Sequence, residues 1–304
     1  MRDKRSRRYI KRGVVSLSLV LFGAYLVHPK VLPFSSYQIV AHGLGGLEEN
    51  KRVTNSLEAM EYNYANGTRL FEVDLIETSD GELVARHDWL PYLYDLLEQP
   101  IFAELGLTLS PEEIAESQEE IILSVDRFKT LPIHDTYTPL TFDDILKLMK
   151  RYPDIYIITD IKTNELEDAK RVFQKIVNAV KEQNPYLLQR IIPQTYNQET
   201  YEALSEIHDF ENVFYTLYME TSSIDDILEF CIEKDIEGVV MPISYFSPEF
   251  ISRLNELGIA SYVHTMNTEE EMTYYLSNGV TGIYSDYFTE DELDVLQKEM
   301  NQKK

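Results

Sequence analysis

Short apolar runs alternate with amphipathic stretches along most of the chain. Short apolar runs bounded by polar residues and glycine are typical of buried strands, whereas apolar residues that recur three and four positions apart are typical of helices. The pattern predicts strands at 38–42, 69–76, 155–161, 190–195, 213–218, 238–243, 260–265 and 282–285. It predicts helices at 55–66, 141–151, 166–182, 198–207, 224–234, 248–257 and 269–278.

Eight such strand–helix units are the number that closes a parallel barrel. The sequence therefore predicts an α/β protein, a (β/α)8 TIM barrel over residues 37–299. The stretch at about 89–140, after the second strand, is longer than a crossover needs and is predicted to be an insertion. A doubly wound open sheet would also alternate strands and helices. Against it, the glycines after the first strand, Gly43, Gly45 and Gly46, lack the spacing of a dinucleotide-binding fingerprint.

The N-terminus combines a basic flank with an apolar segment. Residues 1–13 carry seven basic side chains and one acidic side chain, and residues 14–28 follow without a charged side chain. The apolar run is shorter than the ~20 residues that span a bilayer comfortably, which leaves open a transmembrane anchor and a cleavable secretory signal. We favour the anchor, because cleavage after Ala24 would place the bulky Phe22 at a position that normally holds a small residue. The basic flank then predicts a cytoplasmic N-terminus and a barrel outside the cell membrane, whereas cleavage would give a secreted protein.

Charge narrows the range of partners. The 304 residues hold 28 Lys and Arg against 52 Asp and Glu, and the part of the chain after residue 13 has a net charge of −30. Such a surface repels phosphate backbones, so we expect no nucleic-acid partner. No sequence feature indicates an obligate protein partner. The single cysteine, Cys231, lies in an apolar context and is predicted to be a core residue.

Polar residues at the strand ends indicate where the chemistry lies. In a barrel of this kind, catalytic groups project from the C-terminal ends of the strands. The first three predicted strands end with or are followed by such residues: His42, Glu72, Asp74, His87, Asp160 and Lys162. Glu72 and Asp74 are two positions apart and therefore share one face of their strand. These two carboxylates and that of Asp160 would repel one another unless a cation neutralised them. Oxygen ligands without a cysteine indicate that this cation is one hard divalent ion, Mg²⁺ or Ca²⁺.

These residues belong to a longer series of motifs. The N-terminal motifs are AHG at 41–43, NSLEA at 55–59, FEVDL at 71–75, TSDGELV at 78–84 and HD at 87–88. The C-terminal motifs are YVHTMN at 262–267 and GVTGIYSDY at 279–287. From about residue 39 to residue 287 the chain resembles the glycerophosphodiester phosphodiesterase family. The resemblance implies a barrel that hydrolyses phosphodiesters with a divalent metal. It also implies that His42 and His87 are an acid/base pair and that Lys162 faces the phosphate. The metal ligands that it implies are Glu72, Asp74 and Asp160.

The chain departs from the family pattern at three positions. Gly43 stands where the family usually has the arginine that follows the first histidine, so phosphate binding would depend on Lys162 and the metal. Asp160 replaces a glutamate and is one methylene shorter. His264 replaces a tryptophan in the wall of the substrate site, which affects the identity of the substrate more than the type of reaction.

The combined features predict a phosphodiester hydrolase at a membrane. Its substrate would be a glycerophosphodiester, a phospholipid or a glycerol-phosphate polymer at the outer face, and the nucleophile would be water or a hydroxyl group of the substrate. The insertion begins with a set of apolar residues: Trp89, Leu90, Tyr92, Leu93, Tyr94, Leu96, Leu97, Ile101 and Phe102. One interpretation is that they receive acyl chains or contact the bilayer, and the other is that they pack as a cap on the barrel. The alternative function is a non-catalytic surface barrel that binds a phosphorylated lipid or polymer.

Overall fold

The computed structural model describes residues 32–47, 51–163 and 165–302. Nine strands lie in these residues: β1 (Ile39–Ala41), β2 (Leu70–Glu77), β3 (Leu83–Ala85), β4 (Tyr156–Asp160), β5 (Ile191–Thr195), β6 (Phe214–Thr216), β7 (Gly238–Pro242), β8 (Ala260–His264) and β9 (Gly282–Ser285). All except β3 run parallel, in the order β1-β2-β4-β5-β6-β7-β8-β9, and β1 also pairs with β9. This pairing closes an eight-stranded barrel, as the alternation of elements predicts.

Helices cross between the strands on the outside of the barrel. The described residues contain α1 (Leu57–Ala65), α2 (Pro91–Leu96), α3 (Ile101–Glu104), α4 (Pro111–Glu116), α5 (Val125–Lys129), α6 (Phe142–Arg151), α7 (Leu166–Gln183), α8 (Gln198–Ile207), α9 (Ile224–Lys234), α10 (Pro248–Leu257), α11 (Glu269–Ser277) and α12 (Glu290–Gln302). Side-chain caps fix where many of them begin; Thr141 and Asp144, for example, form a reciprocal capping box at α6. A cap of this kind contributes about 1 kcal/mol, which explains why polar residues before apolar periodic stretches locate these helices well.

The eight predicted barrel strands are all present, and α8, α9 and α10 have the predicted bounds. Outside the insertion, one strand and one helix were not predicted. The strand β3 has three residues and pairs antiparallel with β2, with Leu75 opposite Ala85, and such a short run carries too little periodicity to be identified. The C-terminal helix α12 is the other omission.

The barrel interior is filled by large side chains. Inward-facing residues from all eight barrel strands form one cluster, which includes Val40, Ile158, Phe214, Tyr262 and Tyr284. Phe34 joins this cluster from the N-terminal side, with its ring centroid 5.2 Å from that of Phe214, the first residue of β6. Phe34 therefore covers the end of the barrel where the strands begin, and the opposite end remains for the functional residues.

The insertion folds as a cap with its own core. It contains α2 to α5, and five of its nine leading apolar residues are buried: Trp89, Leu93, Tyr94, Leu97 and Ile101. The indole nitrogen of Trp89 donates to the carbonyl oxygen of Glu77 at 2.9 Å, which ties the cap to the end of β2. Most of this apolar surface is thus used for packing, which favours the cap over an exposed acyl-binding surface. Cys231 is also buried, as predicted.

The predicted anchor at 14–28 lies outside the described residues. Among the residues described, no helix combines the length and the apolar character that crossing a membrane requires.

Candidate active site

Three carboxylates meet at the C-terminal end of the barrel. The register of β2 and β4 places Asp74 directly beside Asp160, and Glu72 lies one pleat below on the same face of β2. One oxygen of each of Glu72, Asp74 and Asp160 lies within 4.8 Å of the others. Glu72 and Asp74 are almost completely buried, whereas Asp160 is partly exposed, so two of the three carboxylates are shielded from solvent.

Two neighbouring segments orient the carboxylates. The backbone N–H of Gly43 donates to Glu72 Oε2 at 2.7 Å, from a glycine whose φ of +56° favours a residue without a side chain. Asn55 donates from Nδ2 to Asp74 Oδ2 at 2.7 Å and accepts a hydrogen bond from the backbone N–H of Asp74 at 3.2 Å. The other oxygen of Glu72, Oε1, is buried and has no hydrogen-bond partner within residues 32–47, 51–163 and 165–302.

Lys162 lies against the cluster as its counter-charge. Its ammonium nitrogen is 2.6 Å from an oxygen of Asp74 and 2.6 Å from an oxygen of Asp160. Burial opposes this charge, but Asp74, Asp160 and Glu72 together hold the pKa of Lys162 well above its ordinary value. Burial also opposes the charge of Asp74, yet Lys162 holds the pKa of Asp74 low. Burial and the charge of Asp74 raise the pKa of Glu72.

The cluster fits a hard divalent cation. One lysine balances only one of three carboxylates, and Glu72 Oε1 is a buried oxygen to which none of the described residues donates a hydrogen bond. Oxygen donors of this kind are the ligands that Mg²⁺ and Ca²⁺ prefer. The residues that could hold such an ion are therefore Glu72, Asp74 and Asp160, the three that the sequence predicts.

His42 is held by the last strand of the barrel. Its Nδ1 lies 2.7 Å from Asp286 Oδ1, and Asn267 donates from Nδ2 to the other oxygen of Asp286 at 2.7 Å. Burial lowers the pKa of His42, but the hydrogen bond to Asp286 and the charges of Glu72 and Asp74 outweigh it and raise the pKa to about 9. Asp286 was not among the predicted site residues. It follows β9 directly, so the strand-end argument that selects His42 and Asp160 would also have selected it.

His87 follows β3 and has a different environment. Its Nδ1 lies 2.8 Å from Asp88 Oδ2, and Tyr92 from α2 donates to the same carboxylate oxygen. The backbone N–H of Leu90 donates to Asp88 Oδ1 at 2.8 Å. The side chain of His87 is 40% exposed against 27% for His42, so His87 is the histidine more open to solvent.

One cavity of about 450 Å³ joins these groups. Six of the seven predicted site residues line it: His42, Glu72, His87, Asp160, Lys162 and His264. The seventh, Asp74, is fully buried behind Lys162. The arrangement brings an acidic cation site and two imidazoles to one opening, which is a layout suited to hydrolysis of an anionic ester.

Comparison with known proteins identifies this layout. The model of the glycerophosphoryl diester phosphodiesterase family matches residues 46–290. The chain belongs to this family. It is therefore a phosphoric diester hydrolase, and the expectation of an enzyme is confirmed. No curated protein is a detectable sequence relative of this phosphodiesterase.

Solved structures show the same fold as this phosphodiesterase. A glycerophosphodiester phosphodiesterase from Parabacteroides distasonis is 19% identical, with a TM-score of 0.65 and coverage of 86% of this chain and 98% of that chain. An Oleispira antarctica phosphodiesterase in complex with the product sn-glycerol-3-phosphate is 16% identical, with a TM-score of 0.64 and coverage of 86% and 97%. A glycerophosphodiester phosphodiesterase from Thermotoga maritima is 20% identical, with a TM-score of 0.58 and coverage of 84% and 96%.

The far wall of the phosphodiesterase cavity is aromatic and largely uncharged. His264 lies beside Tyr218 and Tyr284, with ring centroids 5.7 and 6.3 Å apart. Burial, with the nearby positive charges of His42 and Lys162, lowers the pKa of His264 to about 4. His264 is therefore neutral near pH 7, and the cavity lining combines charged groups at the carboxylates with this aromatic set. Tyr196, which sequence reasoning did not select, donates from its hydroxyl group to Asp160.

Proposed function

We propose that this protein hydrolyses a glycerophosphodiester bond with one divalent ion, Ca²⁺ or Mg²⁺, held by Glu72, Asp74 and Asp160. The observation that carries the proposal is the shared cavity, in which the three-carboxylate cluster and two histidines face the same opening. A bound divalent ion would neutralise negative charge on the phosphate and on the departing oxygen. Product glycerol phosphate, as in the Oleispira antarctica neighbour, is a ligand of the class that this cavity would accept.

Different roles follow from the environments of the two histidines. His42 is paired with Asp286, whose carboxylate favours the protonated imidazole, so His42 suits protonation of the leaving oxygen. His87 is more exposed and receives orientation from Asp88, so it suits removal of a proton from an incoming water or from a hydroxyl group of the substrate. Lys162 and the neutral His264, which line the same cavity, would then contact the phosphate and its substituent.

Two substrates separate these roles. The leaving group of an aryl phosphodiester such as bis(p-nitrophenyl) phosphate is a stable phenolate, which departs without protonation by an acid. The alkoxide leaving group of glycerophosphocholine needs that protonation. His42→Ala should therefore lose about 10²- to 10⁴-fold in turnover on glycerophosphocholine and much less on the aryl ester. His87→Ala should lose similar factors on both substrates. The opposite pattern would exchange the two assignments, and unchanged activity in both variants would refute catalysis by histidine.

The sequence supports a location at the outer face of a membrane. A basic flank before the apolar segment at 14–28 orients an anchor with its N-terminus in the cytoplasm. A barrel held there would meet lipid head groups and glycerol-phosphate polymers before cytosolic metabolites. Fractionation and protease accessibility of the full chain in cells would test this part, since a barrel protected from external protease, or found only in the medium, would contradict it.

The central experiment measures product release by the full chain in mild detergent. The substrates are glycerophosphocholine, lysophosphatidylcholine, phosphatidylinositol and glycerol-phosphate polymer, each with Ca²⁺, with Mg²⁺ or with EDTA. We expect metal-dependent cleavage of at least one substrate that Glu72→Gln abolishes. The matched control is Glu77→Gln on the same strand, because Glu77 pairs with Arg171 outside the cavity and should leave activity intact. Activity that survives both EDTA and Glu72→Gln would refute the metal site.

A further inference from the structure

Arg86 is a buried cation beside the active site. It follows β3, directly precedes His87 and is only 2% exposed. Its guanidinium carbon lies 4.1 Å from the ring centroid of Tyr94 and 5.0 Å from that of Trp89, both in the insertion. Within the part of the chain that the structure describes, it forms no ion pair with a carboxylate, and its Nη2 has no hydrogen-bond partner.

The bonds that Arg86 does form connect three parts of the protein. Its Nε donates to the backbone carbonyl oxygen of Asp88 at 2.6 Å, and its Nη1 donates to Gln99 Oε1 at 2.9 Å. Gln99 is itself fixed, because its Nε2 donates to the carbonyl oxygen of Leu131 at 3.1 Å. The backbone N–H of Arg86 donates to the carbonyl oxygen of Asp74 on β2 at 3.0 Å. Arg86 thus joins the metal-site strand, the His87 turn and the core of the insertion.

Stability alone does not account for an arginine at this position. A buried charge without a counter-ion costs free energy, and apolar residues of similar volume are often at least as stable in its place. The aromatic rings offset part of that cost. What an apolar side chain would not supply is the pair of directed donors to the Asp88 carbonyl and to Gln99.

We propose that Arg86 is a positioning residue for His87, and that through Arg86 the insertion acts as part of the catalytic apparatus rather than as a passive cover. By fixing the Asp88 carbonyl, Arg86 sets the turn in which the Asp88 carboxylate meets His87 Nδ1 at 2.8 Å. This leaves His87 Nε2 as the nitrogen that exchanges a proton with the substrate. The inference rests on the proposed role of His87.

Arg86→Met tests this inference because it should separate activity from stability. The variant removes the cost of the buried charge but leaves the Asp88 carbonyl and Gln99 without their donor. These two effects oppose one another, so we expect a melting temperature close to that of the wild type. We expect kcat to fall about 10- to 100-fold, as displacements of about 1 Å at a reacting group do. Metal affinity measured by calorimetry should not change, since the three carboxylates stay in place. A purely structural arginine would give the reverse, a lower melting temperature with normal kcat in the folded protein.

Arg69→Met is the matched control. Arg69 also lies over a tyrosine ring, at 4.1 Å from the centroid of Tyr64, but it precedes β2 at the opposite end of the barrel and pairs with Asp154 at 2.7 Å. Its removal leaves Asp154 without its cation. We therefore expect a lower melting temperature and an unchanged kcat, the mirror image of the Arg86 result.

Each remaining outcome decides the question. If Arg86→Met does not fold, Arg86→Lys keeps the charge but loses the fork of donors, and a normal kcat in that folded variant would overturn the proposal. If the wild-type protein cleaves none of the phosphodiesters, the proposed function fails, and nitrogen-15 NMR of the His87 ring becomes the readout. Arg86→Met should shift the His87 ring nitrogens, whereas identical signals in both proteins would overturn the positioning role independently of activity.

Discussion

Replacing Asp286 by Asn should lower the pKa of His42. Burial pulls this pKa down, while the 2.7 Å hydrogen bond to Asp286 and the charges of Glu72 and Asp74 raise it to about 9. An opposite charge in direct contact typically accounts for about 1 to 3 pKa units. Asn keeps the size of the side chain but removes that charge, so His42 in the variant should titrate at about 6 to 8.

The assay is an NMR titration of the metal-free protein in EDTA. The chain has six histidines, and the His42 signal can be assigned by its absence in His42→Gln. His208 serves as an internal reference, because it packs beside Phe210, outside the site, and its pKa is lowered by burial and by Lys181 rather than by Asp286. A His42 signal that titrates within about half a unit of the wild-type value in Asp286→Asn would refute the role of Asp286 in raising this pKa.

The same substitution has a consequence for stability that differs with pH. The folded-state pKa of His42, about 9, exceeds the unfolded value of about 6.5, so the charged imidazole stabilises the fold fully below pH 6.5. That contribution is lost as the pH rises through 9, and the pKa difference corresponds to on the order of 3 kcal/mol. The raised pKa of Glu72 also makes stability fall as the pH rises, and it does so in both proteins, so the quantity to compare is the difference between them. Urea titrations should therefore show wild type losing more unfolding free energy than Asp286→Asn between pH 6.5 and 9.5.

Three further substitutions test other parts of the site. Asn55→Leu removes the donor to Asp74 and should weaken metal binding about 10- to 100-fold in calorimetry; equal affinity would show that Asn55 does not orient this ligand. Gly46→Ala would place a methyl group 2.0 Å from the carbonyl oxygen of Asp286 and should destabilise the fold by about 1 to 3 kcal/mol in urea; an unchanged unfolding free energy would show that the two segments can move apart without cost. His264→Gln should leave both limbs of the pH–rate profile where they are, because a pKa of about 4 makes His264 neutral throughout the working range; a displaced limb would show that His264 titrates during turnover.

The sequence predicts the barrel and the candidate site residues better than it predicts the residues that hydrogen-bond to them. The strands can be predicted because each is a short apolar run bounded by polar residues. The carboxylate cluster can be predicted because Glu72 and Asp74, two residues apart on a strand, must share one face. The register of β2 and β4, which puts Asp74 beside Asp160, follows once the barrel closes.

The residues that support the site cannot be predicted in this way, because their contacts depend on the conformation of loops. Asn55 reaches Asp74 from a backbone with φ of +49°, in a loop whose path no periodicity describes. Asn267 acts on His42 only through Asp286, and Tyr196 acts on Asp160 from a different strand end. The insertion is predicted by its length, but the burial of Trp89 and Tyr94 inside it depends on contacts among short helices that have little amphipathic pattern of their own.

The two histidines of the proposed acid–base pair have different surroundings. Both are held at Nδ1 by an aspartate, at 2.7 and 2.8 Å, so the immediate partner does not distinguish them. The two histidines differ in the residues beyond that partner. His42 lies near Glu72 and Asp74 within the barrel, whereas His87 lies on a turn that contacts the insertion and is more exposed. A proton is therefore retained more strongly at His42 than its ordinary pKa implies, while the orientation of His87 depends on Arg86 and the cap. Changes to the barrel interior should then act on the acid step, and changes to the insertion should act on the base step.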